Sequence, residues 1–149
     1  MSAVQSQLMA YKNSVNRVQA LYVPDKFTTV ASTASGNTDV WVSPNNFLLL
    51  GFTITVAGTL AVTGELTISL IDTVASGFPS GGPITVWEGS TFLPATAVGN
   101  AFFGQDYGGG YGYESGIGNT TLVIALSAAL STGHVYVNAW GTWDVIPSP

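Results

Sequence analysis

The sequence predicts an all-β domain: an antiparallel two-sheet sandwich of jelly-roll type with seven to eight strands, preceded by an N-terminal helix or arm. Three observations point there. Short stretches alternate apolar with hydroxyl or aromatic residues at period two, as in Phe52-Thr53-Ile54-Thr55-Val56 and Leu66-Thr67-Ile68-Ser69-Leu70. Clusters of Gly, Pro, Asn and Ser punctuate those stretches. After residue 26 no stretch of helical periodicity interrupts them, which argues against a parallel α/β fold.

Two domain segments are expected, 1–26 and 27–149. Residues 2–22 contain no Gly or Pro, and Val4, Leu8, Tyr11, Val15, Val18 and Tyr22 recur every three or four positions. That spacing is helical, and Pro24 would end the helix. Its polar positions are Gln, Ser and Asn, which support a helix weakly, so an extended arm is the alternative. Either form would serve assembly through those six apolar residues.

The strands are then expected at Phe27–Ser32, Asp39–Ser43, Phe52–Val56, Leu66–Leu70, Ile84–Glu88, Thr121–Leu126 and His134–Trp140, with Asp144–Ile146 extending the last. Ala34-Ser35-Gly36-Asn37 and Ser43-Pro44-Asn45-Asn46 read as turns. Ser76–Pro83 reads as a loop, and Gly104–Asn119 as irregular. Residues 47–64 carry no charge over 18 positions, long enough for a spanning helix. Their Thr, Val and Gly content, their alternation and the absence of flanking Lys or Arg favour two strands and a turn, so no membrane span is expected.

Charge narrows the function. Charged residues are 7% of the chain and the formal net charge is −5. Lys12, Arg17 and Lys26 are the only basic residues; residues 27–149 hold seven acids and neither Lys nor Arg. Such a body cannot neutralise phosphates, which excludes nucleic acid as its partner. A surface this poor in charge suits burial against copies of itself or a partner. There is no Cys, hence no disulfide, thiolate site or Cys nucleophile. Met1-Ser2-Ala3-Val4-Gln5 shows no basic stretch leading into an apolar run, so no conventional signal peptide is expected. Asn119-Thr120-Thr121 matches a glycosylation sequon that matters only in a eukaryotic secretory pathway.

The most unusual stretch is Gly104–Gly118, GQDYGGGYGYESGIG. Tyr107, Tyr111 and Tyr113 offer rigid contact area, and Gly allows close backbone approach. With Asp106 and Glu114 they form the candidate contact loop, for a neighbouring subunit or partner, for a glycan, or simply for the sandwich itself. No calcium-loop spacing accompanies the two acids, and no metal or cofactor is expected. His134 is the only His, and no Gly-x-Ser-x-Gly elbow is present. Carboxylate pairs could be drawn from Glu88, Asp106 and Glu114, but nothing in the spacing favours one. No enzyme is expected. Asp72, at a strand end, reads as a turn residue.

Val40-Trp41-Val42-Ser43-Pro44-Asn45-Asn46-Phe47-Leu48-Leu49-Leu50-Gly51-Phe52-Thr53-Ile54-Thr55-Val56 resembles a pattern in β-sandwich structural proteins of tailed phages and related viruses. There a strand passes through a Pro/Asn turn into an apolar, Thr-rich strand. Glu65–Leu70 stands where the partner strand follows, and Leu130–Trp140 looks like a closing strand. The resemblance covers about a third of the chain. It implies a capsid, decoration or tail-associated protein, assembled in the host cytoplasm into the virion. Its partners would be copies of itself and other capsid or tail proteins. A carbohydrate- or receptor-binding module is the first alternative. A subunit of an extracellular filament or surface layer is the second.

Overall fold

The computed structural model describes residues 22–43, 47–73, 82–107, 112–115 and 120–144. Among them the regular structure is entirely β: β1 (Tyr22–Ser32), β2 (Gly36–Ser43), β3 (Phe47–Leu60), β4 (Gly64–Asp72), β5 (Ile84–Leu93), β6 (Gly99–Asp106), β7 (Tyr113–Glu114), β8 (Thr120–Leu126) and β9 (Leu130–Asp144). All pairing is antiparallel.

The strands form two sheets. Sheet A runs β1-β9-β3-β6, with β7 also paired to β3; sheet B runs β2-β8-β4-β5. The pairing is that of one long hairpin, β4 with β5, β3 with β6, β2 with β8 and β1 with β9. Rolling the hairpin up brings β9 against β3 and β8 against β4. This is a jelly roll, and the expected sandwich is what the chain adopts.

The alternation read from the sequence sets which side chains face inward. Phe52, Ile54 and Val56 of β3 and Val135, Val137 and Ala139 of β9 meet Leu66, Ile68 and Leu70 of β4 and Leu122, Ile124 and Leu126 of β8, all buried. Trp41 packs edge-on against Phe47, ring centroids 5.6 Å apart. At the other flank Trp87 lies between Phe52 and Phe103, 5.3 Å from each. Gly89 makes room for it: a Cβ there would stand 2.6 Å from the Trp87 ring.

Several strands differ from expectation in extent. The uncharged 47–64 stretch is one strand of 14 residues, a turn and the start of β4, and no helix among the described residues is long and apolar enough to cross a membrane. The first strand begins at Tyr22, five residues earlier than the periodicity suggested, with a register shift between Val23 and Lys26 that accommodates Pro24. Gly99–Asp106 is an added strand, which takes the first residues of the stretch read as irregular. Its apolar run, Ala101-Phe102-Phe103, is too short to register as a pattern beside Gly99, Gly104 and the flanking polar residues. Of the N-terminal repeat, Tyr22 opens β1; Val4, Leu8, Tyr11, Val15 and Val18 lie outside the described residues.

Candidate functional site

Strand direction sorts the connections to two ends. One end carries the links β2–β3, β4–β5 and β6–β8, together with the start of β1 and the finish of β9. The described residues of the Tyr/Gly stretch, 104–107 and 112–115, therefore lie toward the end where β1 starts. The opposite end carries four short turns. There Val62 and Val98 are exposed, and Leu60, Ala61, Val62, Ala128 and Ala129 line an open depression of about 530 Å³.

At the Tyr/Gly end two of the three tyrosines are packed inward. Tyr107 is half-buried against the core, and its backbone N–H donates to the Leu50 carbonyl at 3.0 Å. Tyr113 sits in β7 beside Leu49, with its ring 6.1 Å from that of Phe47. Its hydroxyl donates to Asp72 Oδ2 at 2.9 Å. Burial raises the Tyr113 pKa, and the hydrogen bond to Asp72 and its negative charge push the same way. Burial also raises that of Tyr107. Tyr111 lies outside the described residues.

Asp72, which the sequence suggests is a turn residue, is instead a fully buried carboxylate at the end of β4. It accepts from the hydroxyls of Tyr113 and Thr120. A carboxylate can be buried only where donors replace its water. Nearby, Ser115 and Phe47 exchange hydrogen bonds: the Phe47 N–H donates to Ser115 Oγ at 2.8 Å, and the Ser115 N–H to the Phe47 carbonyl at 2.9 Å. Polar bonds thus tie β7 and the residues after it to β3, β4 and β8. Asp106 and Glu114 remain exposed on one margin of sheet A, in register with Gly51 and Leu48 of β3, which places them about 10 Å apart. Glu88 stands on the other sheet and accepts from Ser69 Oγ at 3.2 Å.

The outer face of sheet A is also exposed. Strand register lays residues across it in rows. Ala31, Tyr136, Thr55 and Phe102 form one row. Asn138, Thr53 and Gly104 form the next, with Asn138 Nδ2 donating to Thr53 Oγ1 at 3.3 Å. Trp140 covers Gly51 in a third, where a Cβ would meet its ring at 2.3 Å. His134 stacks on Tyr136 with ring centroids 5.4 Å apart. Phe102 is 68% exposed. Among the described side chains on this face the only charges are Asp106 and Glu114 at its margin. The face is otherwise aromatic, hydroxyl and amide.

The sequence matches no protein-family model and no curated protein. Among solved structures the chain is similar to one in the structure of infectious bursal disease virus Gx strain. The identity is 11%, with 86% of this chain and 42% of that chain covered and a TM-score of 0.28. This chain therefore spans less than half the length of that one.

The residues of the sheet A face were partly legible in advance. Alternation sets Val135, Val137 and Ala139 opposite Tyr136, Asn138 and Trp140, but no local signal says which side of a strand faces a second sheet. Phe102 could be placed only with β6, whose pairing partner lies some fifty residues earlier in the chain.

Proposed function

We propose that this chain is a structural protein of a virus particle, non-enzymatic, which works by self-assembly and by contact with other particle proteins in the virion. Jelly rolls serve viral capsid and lectin domains alike, and a fold does not choose among functions. The observation that carries the choice is the outer face of sheet A. Phe102 and Tyr136 stand in one row on a face that, among the described side chains, holds no charge away from its margin. Faces of this kind lose little on desolvation and bury well against another protein surface.

Light scattering and electron microscopy of the full chain test this. A symmetric oligomer is expected. Phe102→Glu combined with Tyr136→Glu should weaken association by at least about tenfold, with little change in melting temperature because both side chains are exposed. A wild-type chain that stays monomeric at high concentration would sink the reading. Mass spectrometry of native source material, showing which capsid or tail proteins accompany the chain, tests the particle itself.

A glycan- or receptor-binding role is the second reading, and the same face favours it. Tyr136 with His134, beside Asn138, could stack on and hydrogen-bond a neutral sugar. Tyr107 and Tyr113 are less suited to this than the sequence suggests, because their rings pack inward. A glycan array that gives the same signal with wild type and Tyr136→Ala would exclude this face as the site.

A further inference from the structure

Sheet B turns a second outer face to solvent, chemically unlike that of sheet A. Val42 and Phe92 stand on it 66% and 70% exposed. Asp39, Glu65 and Glu88 are exposed on the same face. They are spread over it, not clustered. Glu65 is level with Phe92, Glu88 with Ser69, and Asp39 with Val123 and Ile71. No Lys or Arg follows Lys26 anywhere in the chain, so the body offers this face no cation from residue 27 onward.

Of the three cations, Lys26 lies in β1 of sheet A, and Lys12 and Arg17 lie in the 21 residues that precede β1. The same residues hold Val4, Leu8, Tyr11, Val15 and Val18. They join the body at Tyr22, at the end of the sandwich where β2 finishes at Ser43, next to Val42. Twenty-one residues span about 31 Å as a helix and about 70 Å extended. The nine residues of β4 measure about 30 Å. In either conformation the segment is long enough to run the length of sheet B.

We infer that residues 1–21 of one copy dock on the outer face of sheet B of a neighbouring copy. Their apolar residues cover Val42 and Phe92, and Lys12 and Arg17 lie opposite Asp39, Glu65 and Glu88. This rests on the assembly reading above and supplies the surface that receives the segment. Electrostatics favour the neighbour over the segment's own body. Each body carries a formal −7 from residue 27 onward, so copies repel as they approach. A segment passed between copies sets positive charge of one copy against acids of the next, an attraction between copies; one kept at home lowers the charge of its own body and adds no such contact.

A charge swap in the full chain tests this. One variant carries Lys12→Glu and Arg17→Glu, the other Asp39→Lys, Glu65→Lys and Glu88→Lys. Asp39, Glu65 and Glu88 are exposed, and circular dichroism and melting curves check that both variants fold. Each variant alone should associate at least about tenfold more weakly than wild type, and wild-type association should weaken as salt rises. An equimolar mixture of the two should regain association, because each segment then meets a face of opposite sign on the other copy. If either variant assembles as wild type does, or the mixture stays as weak as its components, the inference is overturned while the assembly reading stands. A monomeric wild type removes both.

Discussion

Asp72 shows how one buried side chain organises the end of the sandwich that carries the Tyr/Gly stretch. It is removed from water and accepts hydroxyl hydrogen bonds from Tyr113 and Thr120, on either side of the last connection before β8. Hydrogen bonds to a charged acceptor are worth about 1.5–3 kcal/mol each. The coupling has a signature in pH. An unfolded tyrosine titrates near pH 10, and the folded Tyr113 titrates higher, from burial first and Asp72 second. The folded state then keeps a proton that the unfolded state releases. The contribution of Tyr113 is therefore complete below about pH 10 and is lost as pH climbs from there through the raised folded value. Melting temperature should fall between about pH 9 and pH 11, and less steeply in Tyr113→Phe. Tyr107 keeps a smaller slope in that variant, because burial raises its pKa as well. An identical fall in wild type and Tyr113→Phe would mean that folding does not raise the Tyr113 pKa.

Among the elements, β9 carries the most. It is 15 residues long and lies between β1 and β3, pairing with both. One face supplies Val135, Val137 and Ala139 to the core, while the other presents His134, Tyr136, Asn138 and Trp140. Near its start Gly133 is in register with Gly58, which is in register with Gly99, so a row of glycines crosses sheet A. Gly133 has φ +87°, and a Cβ there would lie 1.9 Å from the Ala57 carbonyl oxygen. Neither the backbone angle nor the neighbouring strand can accept a side chain. Gly133→Ala should cost about 2–3 kcal/mol, which lowers the melting temperature by ~5–10 °C. An unchanged melting curve would show that β9 does not follow this path. The sequence points to β9 because its alternation is regular. It does not point to β6, whose outward positions include Asn100, Gly104 and Asp106, and which is a strand because β3 offers it an edge.

For the molecule as a whole, the nested pairing sets both folding and function. Tyr22 pairs with Asp144, near the two ends of the described chain, and most other ladders join segments far apart in sequence. Loops that long must close before their contacts reward closure, so folding should be slow, on the scale of milliseconds to seconds or longer. Stopped-flow Trp fluorescence reads this directly, since Trp41 and Trp87 sit in the packed interior. Completion within microseconds would contradict the topology. The same nesting gathers the start of β1, Tyr107, Tyr113 and the end of β9 at one end of the sandwich, and leaves two outer faces of different chemistry among the described residues, one nearly neutral and aromatic, the other acidic. By itself the sequence determined the β class, the two opposed side-chain sets of the regular strands, and the separation of positive from negative charge. Those follow from period-two alternation and composition, which are local properties. Only the tertiary structure decided that Asp72 is buried, that Tyr107 and Tyr113 pack inward, that Phe102 joins Tyr136 on one face, and that the acids divide between two faces. Those depend on which distant strands pair and in what register, and a shift of one residue in that register would turn each side chain of a strand to the opposite face.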